Sequence, residues 1–229
     1  MSRFTEKELY RTLKPYMMKG PDKFRALLRQ VRDLEWNGIA GRIVECGVYK
    51  GGSLAAMGYE SHRDLVACDS FVGLPQPTEQ DLTDLKLKER EEYPIGDMLQ
   101  PEGTPLTPIN RCVGPLDTVK GCLFDIAGID PERVEFVEGW YQDTLPLLSQ
   151  TVGNIALLHI DCDWYDSTKI VLENLYDCVV PNGVVVLDDH YYWNGSATAA
   201  IEFFSSRGIR PKLTRVKTSA HFRKKRQNG

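Results

Sequence analysis

Apolar positions recur along the chain with two different periods. Near the N-terminus they return every three to four residues, over about Glu6 to Lys19 and again over about Asp22 to Asn37, which predicts two amphipathic helices. Pro21 suits the opening turn of the second. From Arg42 the pattern changes to short apolar runs separated by helical stretches, so that RIVECG, GSLAAMGYE and DLVACD read as strand, helix, strand. After an interruption the rhythm returns: RVEFVEG, NIALLHID and GVVVLDD read as strands, with helices expected over Tyr141 to Gln150, Ser167 to Cys178 and Ala197 to Arg207. Uninterrupted apolar strands alternating with helices imply an α/β fold, a mostly parallel sheet with helices on both faces. Lys212 to Lys224 has room for two short strands at the sheet edge.

The interruption, Val72 to Pro108, is rich in proline, glycine and acidic residues and includes QPTEQDLTDLKLKEREEYPIGD. A connection this long inside a domain is usually functional or disordered. It reads either as an insertion over a site, with a short helix at Leu82 to Glu92, or as surface decoration. The expected organisation is therefore a helical cap or lid over 1–40 and one larger domain over 41–229.

The totals narrow the class. At 229 residues the chain can bury a core that needs no covalent staples, and 42% hydrophobic with 26% charged residues is ordinary for a globular protein. The net charge of −4 offers nothing to attract nucleic acid; the locally basic HFRKKR reads as a solvated terminus. No run reaches the length of a membrane span, and MSRFTEKELYR lacks the apolar middle of a signal peptide, so a cytoplasmic location is expected. There are six cysteines and no C-x-x-C pair; Cys46, Cys68, Cys162 and Cys178 read as reduced, small core residues.

Candidate chemistry gathers at strand ends. Gly47, Gly51 and Gly52 lie between a strand and a helix that begins near Ser53, where a turn can bring backbone amides to a phosphate or carboxylate; a plain strand-to-helix connection is the alternative. Asp69 ends the next strand about twenty residues later, placed either to accept the hydroxyls of a ribose or to cap the following turn. HIDCDWYD puts Asp161, Asp163 and Asp166 behind one apolar strand, and GVVVLDDH puts Asp188, Asp189 and His190 behind another. If these strands are parallel neighbours, Asp161, Asp188 and Asp189 converge, either as hard oxygen ligands for a divalent ion such as Mg²⁺ or as partners of a nearby Arg or Lys. Asp166 precedes Ser167, Thr168 and a helical pattern and reads as that helix's N-terminal cap. His159 sits within an apolar strand and reads as a hydrogen-bonded core residue. Tyr191, Tyr192 and Trp193 offer rings either to stack on a sugar or to pack against the insertion.

Five motifs in order, E-C-G-V-Y-K-G-G-S, C-D-S-F-V-G-L-P, F-V-E-G-W-Y-Q-D-T-L-P, H-I-D-C-D-W-Y-D-S-T and G-V-V-V-L-D-D-H, together resemble the macrocin O-methyltransferase family from about Arg42 to Phe204. The resemblance implies a seven-stranded Rossmann-like class I methyltransferase fold that binds S-adenosylmethionine, needs Mg²⁺, and methylates a sugar hydroxyl of a glycosylated natural product in antibiotic biosynthesis. It assigns Asp161, Asp188 and Asp189 to the metal. To the cofactor it assigns Glu45, Gly47, Ser53, Asp69, Ser70 and the region of Asp161, with Gly139 and Trp140 near the adenine. Members often form homo-oligomers. G-W-Y-Q-D also resembles a stretch of catechol O-methyltransferases, but where those carry a lysine three residues after the first metal aspartate this chain has Trp164, so another group must take the proton. Asp163, two residues from Asp161 and on the same side of an extended chain, is the best placed, and the resemblance to the aminocoumarin enzyme of the family supports the same assignment. His190 is the second candidate, with a supporting role beside the metal pair as its alternative.

Two other readings stay open at this level. D-C-D could be the D-x-D of a metal-dependent glycosyltransferase, which leaves the glycine turn, Asp69 and Asp188-Asp189 unused. The chain could also be a non-catalytic cofactor-binding subunit of an oligomer, for which the sequence gives no positive sign.

Overall fold

The computed structural model describes residues 4–81 and 104–226. Helix α1 (Glu6–Leu13) opens on a capping box in which Thr5 and Glu8 satisfy each other's backbone amides. It stops well before Lys19 and passes through a 3₁₀ turn at Lys14–Tyr16, because Pro15 has no amide to extend the helical ladder. Met17 is extended, and α2 (Pro21–Trp36) then begins with its proline in the first turn. The residues between, expected as the end of a helix, instead form a bridge.

Strand β1 (Arg42–Cys46), helix α3 (Gly52–Tyr59) and strand β2 (Leu65–Asp69) follow the predicted rhythm. A short helix the pattern did not announce, α4 (Leu116–Lys120), runs into a π turn at Gly121–Ile126. Next come β3 (Val134–Glu138), α5 (Tyr141–Thr151), β4 (Ile155–Ile160), α6 (Tyr165–Leu175), β5 (Val179–Leu187) and α7 (Asn194–Ser206). A hairpin of β6 (Thr214–Val216) and β7 (Ser219–Arg223) closes the fold. The helix expected at Leu82 to Glu92 lies outside the described residues.

The seven strands form one sheet in the order β3-β2-β1-β4-β5-β7-β6. The first five are parallel, while β7 runs antiparallel to β5 and β6. The hairpin supplies the two short strands expected at the sheet edge, with β6 outermost. It corrects one expectation about the tail, because HFRKKR is not a solvated terminus: His221 and Phe222 are buried in β7, and Lys224 donates to the carbonyls of Tyr176 and Asp177. Basic residues can enter the sheet here because the lysine stem packs inward while its ammonium finds carbonyl oxygens.

Alternation along the strands sorts side chains between two cores. Ile43, Leu65, Leu157, Val184 and Val186 face α1, α2, α3 and the α4 region, while Val44, Val66, Leu158, Val185 and Leu187 face α5, α6 and α7. The first core includes Leu9, Leu13, Phe24, Leu27, Leu28, Val31 and Leu34, so residue 40 is no seam in the packing: the N-terminal helices are one layer of the domain. All six cysteines are free, with Cys178 only half-buried. Among the described residues no helix is long and apolar enough to cross a membrane.

Candidate active site

Chain order reverses between β1 and β4, and in open α/β sheets the crevice beyond the strand ends at such a point is where ligands bind. A cavity of about 830 Å³ opens there, bordered by Gly47 to Tyr49, Ser53, Asp69, Ser70, Gly139, Trp140, Asp161, Asp163, Asp188 and Asp189. The ends of all five parallel strands border it.

The glycine turn joins β1 to α3 and forms one wall. Gly47 has φ +91°, and a Cβ there would stand 1.9 Å from the Asp161 carbonyl oxygen, so glycine is what lets β1 and β4 end side by side. Asp69 fills the turn-capping role open to it from sequence and also fastens the glycine turn. One carboxylate oxygen accepts from the Val48 and Tyr49 amides, at 2.7 and 3.1 Å, and the other caps the turn by accepting from Phe71 N at 2.8 Å. Gly139 N donates to the Asp69 carbonyl at 3.0 Å, bringing the end of β3 and Trp140 into the same wall.

The opposite wall is acidic. Backbone bonds from Asp161 N to Cys46 O and from Asp188 N to Ile160 O align the ends of β1, β4 and β5. Carboxylate oxygens of Asp161, Asp188 and Asp189 consequently lie within 4.8 Å of one another. Asp189 Oδ2 is buried without a hydrogen-bond partner. Its burial and the neighbouring carboxylates of Asp163, Asp161 and Asp188 push its pKa well above the usual range. Three hard oxygen donors, one of them unsatisfied, can accept a cation such as Mg²⁺.

Two lysines that sequence reading missed reach into this cluster. Lys19 donates to Asp161 Oδ2 at 2.5 Å and lies 3.1 Å from Asp188 Oδ2. Lys23, on the first turn of α2, is bonded to Asp188 Oδ2 and donates to Thr218 Oγ1 at 2.9 Å. Burial works against the Lys19 charge, yet Asp161, Asp188 and Glu45 outweigh it and hold its pKa above the usual lysine value. Burial would likewise raise Asp188, but Lys19, His159 and Lys23 hold it well below. The lysine partners weighed as the alternative to a metal are thus present for two of the three carboxylates. Nothing local in the sequence connects Lys19 with Asp161.

Asp163 borders the cavity, but not by strand alternation. β4 ends at Ile160, and Asp163 has φ +58°, a left-handed conformation that swings it out of the strand's line. The Trp193 indole N–H donates to Asp163 Oδ1 at 2.7 Å. Burial, reinforced by Asp161, pushes its carboxyl up to about 7.

Three expectations need correcting. Glu45 does not border the cavity: it shares a face with Ile43 beneath the N-terminal helices, where Oε1 meets His159 Nδ1 at 2.7 Å and Oε2 has no partner. His190 is turned away too, because Tyr192 N and Trp193 N both bond back to Asp189 O and coil the chain; its ring packs edge-on against Tyr191. Asp166 stands one residue inside α6 and is not its cap. The carboxylate that satisfies the first amide of that helix is Asp81, from the insertion, accepting from Tyr165 N at 2.8 Å and from Thr78 N at 3.0 Å. Asp81 packs so closely against α7 that a Cβ on Gly195 would stand 1.9 Å from it.

Of the aromatic trio, Tyr192 and Trp193 border the cavity and Tyr191 does not. Trp193 packs against Trp164 with ring centroids 5.5 Å apart, and Leu74 from the insertion joins them. Trp164 donates its indole N–H to Pro75 O at 3.0 Å, so the residue in the lysine position of catechol enzymes anchors the start of the insertion.

A model of the macrocin-O-methyltransferase (TylF) family matches residues 10–225. The chain is 32% identical over 162 residues to the 8-demethyl-8-(2,3-dimethoxy-alpha-L-rhamnosyl)-tetracenomycin-C 4'-O-methyltransferase of Streptomyces olivaceus, a match covering 67% of this chain and 54% of that protein. It is 29% identical over 182 residues to the demethyldecarbamoylnovobiocin O-methyltransferase of Streptomyces niveus, covering 76% of this chain and 62% of that one. The match therefore spans less than two thirds of either relative's length. Among solved structures, the O-methyltransferase NovP aligns with a TM-score of 0.73 at 24% identity, over 92% of this chain and 83% of that one. The calicheamicin methyltransferase CalS11 aligns at 0.63 and 21%, over 95% and 90%. These likenesses identify the sheet and its helices as a class I O-methyltransferase fold, and the family match leaves the D-x-D glycosyltransferase reading without support. The chain belongs to the macrocin-O-methyltransferase (TylF) family.

Proposed function

We propose that this chain transfers a methyl group from S-adenosylmethionine to a sugar hydroxyl of a glycosylated natural product, with Mg²⁺ at the carboxylate cluster. The observation that carries the reading is one continuous cavity, bordered at one side by the glycine turn and at the other by Asp161, Asp163, Asp188 and Asp189. A methyl donor and a hydroxyl can meet in it. The relatives' names point the same way, since they are methyltransferases of the tetracenomycin, novobiocin and mycinamicin compounds.

In this reading Gly47, Ser53, Asp69 and Ser70 hold the cofactor, Gly139 and Trp140 flank its adenine, and Asp161, Asp188 and Asp189 hold the cation. When bound, the cofactor supplies an electrophilic methyl group and the cation supplies positive charge that favours ionisation of a nearby hydroxyl. A sulfonium donor leaves without help from an acid, so the protein's own task is to aim the hydroxyl and accept its proton. Asp163 is the base: Trp193 fixes its carboxylate through Oδ1, and Oδ2 receives the proton. Tyr192, half-buried at the border of the cavity, is the ring placed to meet the sugar.

Calorimetric titration with S-adenosylhomocysteine tests the cofactor half, and labelled methyl transfer to a panel of glycosides, with and without EDTA, tests the rest. Binding, and transfer that EDTA abolishes and Mg²⁺ restores, are expected. A protein that binds neither S-adenosylmethionine nor its product overturns the reading; full transfer in EDTA overturns its metal.

A further inference from the structure

Lys19 has no task in the function above, yet it is 5% exposed and surrounded by the acidic wall. Its position comes from the backbone: Pro15 ends α1 early, and the extended bridge before Pro21 carries Lys19 to the strand ends. Its ammonium contacts Asp161 Oδ2 and Asp188 Oδ2, oxygens of two of the three residues that can jointly hold a cation. Lys23 also holds Asp188, but it has a second anchor in Thr218 Oγ1. An ammonium and a hard divalent ion compete for the same carboxylate lone pairs, and their like charges repel at these distances.

We propose that Lys19 is an internal counter-ion of the carboxylate cluster, which a divalent cation displaces as it binds. Loading then moves the Lys19 side chain and the bridge that carries it, while Lys23 stays on Asp188. The bridge can give way there: Met18 is 67% exposed and Gly20 has open space around it, although Met17 is core. Met17, Met18, Lys19 and Gly20 all border the cavity, so displacing Lys19 reshapes the side of the cavity beside the carboxylates. The inference rests on the metal reading of Asp161, Asp188 and Asp189 and not on methyl transfer itself.

The test needs no turnover. MgCl₂ is titrated calorimetrically into wild-type protein and into Lys19→Met and Lys19→Arg, without cofactor. Lys19→Met is expected to bind at least about tenfold more tightly, and Lys19→Arg, which keeps the charge, to stay within about threefold of wild type. Equal or weaker binding by Lys19→Met overturns the proposal. Acetylation of wild-type protein, read by mass spectrometry, follows the displacement itself and does not depend on any variant folding. Modification of Lys19 should rise when MgCl₂ is added; unchanged modification overturns displacement. S-adenosylhomocysteine binding in the same samples separates the two readings, since a protein that binds it and shows neither metal effect loses this inference and keeps the cofactor site.

Discussion

The glycine-turn wall of the cavity is held by backbone, whereas the carboxylate wall is held by side chains drawn from distant segments. On the first wall, amides of Val48, Tyr49, Phe71 and Gly139 close onto Asp69 across three adjacent strand ends. On the second, Asp161 meets Lys19 across 142 positions and Asp188 meets Lys23 across 165. Asp163 meets Trp193 across 30, and the helix behind it is capped by Asp81 across 84. On the first wall the one carboxylate has its oxygens satisfied by backbone amides close by. A wall of crowded carboxylates stays sensitive to which cations are present, because moving such charges out of water is costly unless each is paired.

The comparison can be broken most severely where the two walls touch. Gly47→Ala would drive a Cβ into the Asp161 carbonyl at a backbone angle that side chains rarely adopt, so both walls should fail together. A loss of about 3 kcal/mol or more in urea denaturation is expected, and a variant of ordinary stability would show that the strand ends have slack. Asp163→Asn should separate the walls instead. Turnover should fall ~10²–10⁴-fold, while calorimetry shows S-adenosylhomocysteine and Mg²⁺ binding as in wild type; undiminished turnover would move the base elsewhere. A smaller effect sharpens the account of the carboxylate wall's support. Asp81→Ala should cost about 1–2 kcal/mol, as loss of a helix cap does, whereas Asp166→Ala should stay within about 0.5 kcal/mol, as surface changes do. The reverse ranking in thermal or urea melts would return the cap to Asp166.

Legibility followed the same division. The strands from β1 to β5 were readable because each is a local apolar run, and the acids at their ends follow directly in sequence. The glycine turn was readable for the same reason, although Gly47 turns out to make room for the Asp161 carbonyl. Glu45 was misplaced because strand alternation, which decides its face, outweighed its position near the strand end. Asp163 was placed at the cavity for a reason that failed, since β4 had already ended before it. His190 was misjudged because the chain coils immediately after Asp189.

What the sequence by itself determined was the alternation of strand and helix, hence the mostly parallel sheet, and the acids at its strand ends. Periods of two and of three to four residues are local properties, and burial enforces them wherever the chain runs. Only the tertiary structure decided which cations face those acids, which carboxylate caps α6, and how a basic tail becomes strand β7. Those outcomes rest on contacts between residues tens to more than a hundred positions apart, which no local period records; they appear when the packed cores fix how near each side chain comes to another.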